Sequence, residues 1–141
     1  MPKISAFLIS ESMQNVPTPN GGFAPQLTGP TIAVRPLFIP SSFSFAITIG
    51  VSDVDPAQKN QIQVKIQSPS GETVNDTGII DLPVDESTDS ELPLEYRGFL
   101  MNMDLRNVAI KTSGCYIIQV YINGELIDSH EMPVYKRAEP K

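Results

Sequence analysis

The most informative part of the sequence is residues 116–124, which read YIIQVYING. Large apolar side chains occupy every second position of this stretch, the period that places alternate side chains on opposite faces of a β-strand. Asn123 and Gly124 then readily supply the two positive φ values of a two-residue type I′ turn. The stretch therefore predicts a β-hairpin, and a two-residue loop in it places Val120 opposite Ile127.

The same two-residue period recurs nearer the N-terminus, at residues 43–51, 61–67 and 99–105. A shorter apolar run at residues 4–9 has the length of a first β-strand. Helical spacing is scarce, and the 13 prolines are about twice the ordinary frequency, which breaks up long helices. Roughly eight short strands separated by turn signals predict an all-β fold, either two packed antiparallel sheets or a barrel.

These strands predict one folded domain over residues 1–135, followed by a flexible tail at residues 136–141. Two long connections are expected within the domain. Residues 13–30 contain four prolines and three glycines, and residues 81–95 contain six acidic residues and no basic residue. Unstructured connections of such length in a compact domain are usually functional or disordered.

The composition excludes several classes of function. Ten Lys and Arg against 16 Asp and Glu give a net charge of −6, and the basic residues are scattered, so we expect no nucleic-acid and no membrane partner. One cysteine and one histidine exclude an internal disulfide framework and the usual multi-histidine metal sites. No apolar stretch approaches the roughly 18 residues of a membrane span. We therefore expect an intracellular or virion-type soluble protein, with the cytoplasm as its location, and no cofactor.

The segment MDLRNV at residues 103–108, followed by SGCY at residues 113–116, resembles the corner between strands E and F of immunoglobulin-type sandwiches. The resemblance implies four structural residues, Leu105, Val108, Gly114 and Tyr116. Leu105 and Val108 would fill the bottom of the core, and the Tyr116 hydroxyl would donate a hydrogen bond to the backbone a few residues upstream. The chain lacks the tryptophan and the second cysteine of true immunoglobulin domains. It predicts an immunoglobulin-like antiparallel β-sandwich of about seven to nine strands.

A broader resemblance covers most of the chain. The sequences AFLI at residues 6–9, LTGP at 27–30, PLFIP at 36–40 and IQSPSG at 66–71 occur in this order. Together they resemble a bacterial family of small cytosolic β-sandwich proteins whose function is not assigned. That family has no catalytic residues to transfer, so the resemblance implies a fold and no chemistry.

Two arrangements around the single histidine suggest catalysis, and both are weak. Asp128-Ser129-His130 contains the residue types of a triad, but a strand directs Ser129 away from the other two side chains. The two-residue-loop hairpin places His130 opposite Ile117, which makes Cys115 a diagonal neighbour of the histidine on the same face. No third group orients this pair, and most cysteines of this kind are inert. We expect that the chain is not an enzyme.

The acidic connection contains weak candidates for a cation site, Asp85, Glu86, Asp89 and Glu91. Carboxylates are the hard oxygen ligands that calcium prefers, but the alternating Asp or Asn spacing with a fixed glycine is missing. This pattern favours a solvated loop, so no metal site is assigned.

The predicted hairpin has an apolar outer face, opposite to the face that Tyr116 would present to the core. The candidate interface residues on it are Ile117, Tyr121, Leu126, His130 and Met132. An apolar cluster with polar neighbours is typical of a protein contact. The sequence leaves an alternative open, in which another strand or residues 13–30 cover this face.

The sequence therefore favours a non-enzymatic protein-interaction or assembly module. Its partner would be another protein or a second copy of the chain, associating through a sheet face or a sheet edge. The alternative is a sandwich that binds a small ligand or a carbohydrate with its long connections. The absence of tryptophan, the residue best suited to stack on a sugar, makes the carbohydrate hypothesis weaker.

Overall fold

The computed structural model describes residues 2–54, 59–82 and 93–137. Regular structure in these residues is almost entirely β. The strands are β1 (Lys3–Pro17), β2 (Phe23–Thr31), β3 (Ser41–Ser52), β4 (Gln61–Gln67), β5 (Thr73–Asp76), β6 (Ile80–Asp81), β7 (Gly98–Ile110), β8 (Gly114–Ile122) and β9 (Glu125–Val134). A single 3-10 turn at Leu94–Tyr96 precedes β7.

The strands form two antiparallel sheets. Sheet one has the order β2-β1-β3-β7, and sheet two has the order β5-β4-β8-β9, with the short β6 paired to β4. The chain crosses from sheet one to sheet two between β3 and β4, and again between β7 and β8. This architecture is an immunoglobulin-like β-sandwich, which confirms the fold class that the sequence predicts.

The core lies between the two sheets. Buried and half-buried residues alternate along the whole of β4 and along β8 from Cys115 onward, as the two-residue period predicts. Phe45, Ile47 and Ile49 of β3 supply the opposite layer and are almost completely buried. Each large apolar side chain buried in this way contributes roughly 1.5–3 kcal/mol to the stability of the fold.

The corner between β7 and β8 has the predicted arrangement. Tyr116 is fully buried, and its hydroxyl donates a hydrogen bond of 2.8 Å to the carbonyl oxygen of Thr112. Leu105 and Val108 are buried in the core on the last part of β7. Gly114 has a φ of 137°, and a Cβ atom there would lie 2.7 Å from the ring of Pro69. Each of these residues therefore has a structural role in the corner that connects the two sheets.

Residues 13–30 form a hairpin, so the prediction of a long connection there is wrong. β1 and β2 pair continuously from Ser12 opposite Thr28 to Pro17 opposite Phe23. β2 is an edge strand, and prolines are tolerated in edge strands because one side of the backbone needs no hydrogen-bond partner. We call residues 12–30 the arm. Within the described chain, β1 pairs with β3 only up to Ser10, so the arm has two strands and no third.

Three predicted features lie wholly or partly outside the described residues. The cation candidates Asp85, Glu86, Asp89 and Glu91 all fall between residues 83 and 92, which the structure does not describe. Of the predicted tail, residues 136 and 137 are described, and the amide of Arg137 donates a hydrogen bond of 2.8 Å to the carbonyl oxygen of Pro36. The extent of the domain over residues 1–135 stays a prediction.

Candidate binding site

The hairpin between β8 and β9 begins as predicted and then changes register. Asn123 and Gly124 have φ values of 52° and 81°, as a type I′ turn requires. The first pairs follow the two-residue loop, but a β-bulge then shifts the pairing by one residue, so Val120 lies opposite Asp128 instead of Ile127. A shift of one residue exchanges the two faces of a strand, because side chains alternate. The predicted pairing of His130 with Ile117 is wrong for the same reason.

The shift turns two of the predicted interface residues inward. Met132 lies opposite Tyr116 and is fully buried. His130 lies opposite Ile118, on the face directed at sheet one, and its ring stacks on Phe7 of β1. Their assignment to an outer face is therefore wrong.

The other three predicted interface residues remain on the outer face of sheet two, among polar neighbours. Ile117 lies between Gln67 of β4 and Glu131 of β9. The Nζ atom of Lys65 lies 5.2 Å from the centre of the Tyr121 ring, and the Tyr121 hydroxyl donates a hydrogen bond of 3.3 Å to Gln119. The partly exposed Leu126 lies directly opposite Tyr121, so these two side chains are cross-strand neighbours on the outer face, whereas Ile117 has polar neighbours on both adjacent strands.

Neither catalytic arrangement is assembled. Cys115 lies opposite Pro133 on the outer face of sheet two, whereas His130 is on the inner face. The Nε2 atom of His130 lies 3.2 Å from a carboxylate oxygen of Asp128 without hydrogen-bond geometry, and Ser129 points to the other side of the strand. In the part of the chain that the structure describes, no three His, Cys, Asp or Glu side chains are close enough to hold a metal ion.

A partly enclosed cavity of about 300 Å³ lies at the base of the arm. Its lining comes from β1, from β3, from residues 31–37 and from the C-terminal segment after β9. The large apolar side chains in this lining are Ile9, Val34, Leu37, Phe43 and Phe45. We call this space the end cavity. The sequence did not reveal it, because its residues are distant along the chain and meet only where the two sheets end.

Charged groups surround the mouth of the end cavity. The Arg35 guanidinium donates hydrogen bonds of 3.0 and 3.3 Å to the carbonyl oxygens of Tyr135 and Lys136. Arg137 and Glu11 also line the cavity, and both are exposed. Backbone hydrogen bonds fix this region. The Val34 amide donates a bond of 2.8 Å to the carbonyl oxygen of Pro133, and the Tyr135 amide donates one of 3.1 Å to the carbonyl oxygen of Val34.

Large apolar side chains are exposed around the same end of the sandwich. They are Ile32, Leu37, Phe38 and Tyr135, and Ile32 retains 86% of its accessible surface. Phe23 near the tip of the arm retains 74%. Solvent-exposed apolar side chains grouped in one region are typical of binding surfaces. Leu37 and Phe38 belong to the PLFIP motif at residues 36–40.

A second depression, open and about 670 Å³ in volume, lies on the outer face of sheet one. Gly50 forms part of its floor, where a Cβ atom would lie 3.2 Å from Ala6 and 3.6 Å from Leu100. Lys3 and Tyr96 lie at its border, with the Lys3 ammonium 5.8 Å from the tyrosine ring centre. This depression is shallow, so it resembles a flat surface and does not enclose a site.

The similarity of this chain to known proteins is a similarity of fold alone. No protein-family model and no curated protein sequence matches the chain. Among solved structures, it is similar to an immunoglobulin-like protein from Pseudomonas aeruginosa, with a TM-score of 0.45 and 10% identity over 96% of this chain and 97% of that chain. It is also similar to an alkylpurine DNA glycosylase from Pseudomonas fluorescens bound to DNA, with a TM-score of 0.44 and 15% identity over 94% of this chain and 30% of that chain.

The strand order and the corner between β7 and β8 define the class of this protein as an immunoglobulin-like β-sandwich. Membership of the bacterial family that the sequence resembles stays a prediction. Among the described residues there is no helix with the length and apolar character that a membrane crossing requires.

Proposed function

We propose that this chain is a non-enzymatic assembly module that associates with a second copy of itself through the arm. The observation that carries the proposal is the construction of the arm. Two strands leave the sandwich without a third strand beside them in the described chain. An isolated two-stranded hairpin is at best marginally stable in water, so a partner that covers one face would stabilise it.

One face of the arm is more apolar than the other. Met13 lies opposite Leu27, and Pro17 lies opposite Phe23, and alternation along each strand directs these two pairs to the same side. Gln14 opposite Gln26 and Val16 opposite Ala24 lie on the other side of the ribbon, and Asn15 lies between the two apolar pairs. An amphipathic ribbon of this kind packs by its apolar face, and burial of the exposed Phe23 would contribute most of the gain.

Charge favours a second copy as the partner. No charged residue occurs between Glu11 and Arg35, whereas the whole chain carries a net charge of −6. Two copies therefore repel each other over most of their surfaces and least at their arms. Cores of protein interfaces are depleted of charged residues in the same way. Because β2 contains Pro25 and Pro30, edge-to-edge pairing along this strand is disfavoured, and we expect packing of the two apolar faces about a twofold axis.

The solution mass tests this proposal. Sedimentation of the full chain at a series of protein concentrations should show a dimer, and the Phe23→Asp variant should remain monomeric. The matched control is Ile79→Asp, because Ile79 is also strongly exposed, at 67%, but lies outside the arm between β5 and β6. The control variant should associate like the unmodified chain.

A chain that is monomeric up to high micromolar concentration would contradict self-association. A dimer that both variants retain would show that the arm is not the contact. Melting curves of the two variants establish that each remains folded, since both substituted side chains are exposed and contribute little to the core.

A further inference from the structure

The proposed association through the arm does not involve the side chains that line the end cavity. Phe43 and Phe45 lie side by side in its wall, with ring centres 6.4 Å apart and planes tilted by 33°. Ile9 and Val34 close its inner part, and both are almost completely buried. The space of about 300 Å³ lies at the lower end of the range for small-molecule sites. Its interior therefore suits an apolar group.

The mouth of the end cavity carries a positive charge, although the chain as a whole is acidic. Arg35 and Arg137 line the cavity together with one described acid, Glu11, which gives the mouth an excess of one positive charge. Arg35 uses two of its donors on the carbonyl oxygens of Tyr135 and Lys136, which holds the guanidinium in place and leaves further N–H groups unused. Arg137 makes no side-chain hydrogen bond or ion pair within the described residues.

From this arrangement we infer that the end cavity binds a small carboxylate with an aliphatic chain. The chain occupies the space between the phenylalanines and Val34, and the carboxylate accepts hydrogen bonds from Arg137 and Arg35 at the mouth. A guanidinium forms strong, directional hydrogen bonds with a carboxylate. A neutral hydrocarbon would make no use of the Arg137 guanidinium or of the remaining Arg35 donors, and a short anion would leave the apolar interior empty.

Calorimetric titration with sodium octanoate tests the site directly. We expect saturable binding of one octanoate per chain. Acetate lacks the aliphatic chain and 1-octanol lacks the charge, so each should bind at least about tenfold more weakly, acetate because it buries little apolar surface and 1-octanol because it loses a charge-assisted hydrogen bond. Equal binding of octanoate and 1-octanol would overturn the role of the arginines.

Three variants locate the binding. Arg137→Gln should weaken octanoate binding about tenfold, the loss expected for one charge-assisted hydrogen bond. Ala33→Leu should weaken it as well, because Ala33 lines the cavity and a larger side chain occupies the ligand space. Phe38→Ser is the matched control, since Phe38 is exposed at the same end but is not part of the cavity lining.

The result that would overturn the inference is octanoate binding that Phe38→Ser abolishes and Ala33→Leu leaves unchanged, because the ligand would then adhere to the exposed apolar surface. Absence of saturable binding to the folded chain would overturn it too. The inference is independent of self-association through the arm. Octanoate should bind the Phe23→Asp variant with unchanged affinity, so failure of one proposal is distinguishable from failure of the other.

Discussion

The imidazole ring of His130 lies flat against the phenyl ring of Phe7, with ring centres 3.9 Å apart and planes only 4° apart. Phe7 belongs to β1 in sheet one and His130 to β9 in sheet two, so this stack joins the two sheets near their margin. The contact exists because the bulge in the β8–β9 hairpin directs His130 inward. Without the bulge, the same residue would lie on the outer face of sheet two.

We expect a double-mutant cycle of Phe7→Ala and His130→Ala to show a coupling free energy of about 0.5–1.5 kcal/mol. Each single variant removes one ring of the stack, so the second substitution should cost less when the first is already present. Urea denaturation of the four proteins at neutral pH measures the free energies of unfolding. Strictly additive effects would contradict the stacking contact between the two rings.

The corner hydrogen bond gives a second prediction. Tyr116→Phe should lower the free energy of unfolding by about 1–2 kcal/mol, because it leaves the carbonyl oxygen of Thr112 without this buried partner. Tyr121→Phe is the control, since that hydroxyl makes a longer hydrogen bond of 3.3 Å at a half-buried position. Denaturation midpoints should differ clearly between the two variants. A midpoint of Tyr116→Phe equal to that of the unmodified chain would show that the hydrogen bond does not stabilise the corner.

The sequence predicted those parts of the fold that depend on alternation and on turn chemistry. Apolar residues at every second position identified the core faces of β3, β4 and β8, and Asn123 with Gly124 identified the hairpin turn. The bulge carries no comparable signal. Ile127 is apolar and packs against the core edge, so the local sequence accommodates either register, and packing between the sheets selects one.

The arm and the end cavity were missed for different reasons. Prolines and glycines usually mark a connection, but an edge strand tolerates them because one side of its backbone needs no partner. The end cavity joins Ile9 to Phe43 and Arg137, which are far apart in sequence, and only the tertiary structure brings them together. The alternation of apolar residues within a single strand carries no information about contacts between distant segments.

Stability at acid pH should depend on Asp76. Its pKa lies below the ordinary value of 3.8, mainly because Gln63 donates a hydrogen bond of 2.8 Å to the carboxylate, and also because the Gly78 amide donates one of 2.8 Å. The lowered pKa means that the folded state favours the ionised form. The resulting stabilisation is complete well above 3.8 and is lost as the pH falls through the folded-state pKa.

The comparison of the unmodified chain with Asp76→Asn measures this effect. The difference in free energy of unfolding should be constant near neutral pH and should shrink as the pH falls below 3.8. Because the carboxylate is exposed, solvent reduces the size of the effect, and the informative quantity is its pH dependence. A difference that stays constant down to the acid limit of folding would contradict the stated origin of the lowered pKa.

Ile117 distinguishes the outer face of sheet two from the arm as the surface of association. It lies directly opposite Glu131, and Gln67 flanks it on the other side. A glutamate at this position would place two like charges on opposed strands, whereas a lysine would form a favourable cross-strand pair. We therefore expect Ile117→Lys to melt at a higher temperature than Ile117→Glu. If the arm is the contact, both variants should keep the mass of the unmodified chain in sedimentation. If both variants are instead folded monomers, the interface includes Ile117, Tyr121 and Leu126 and not the arm.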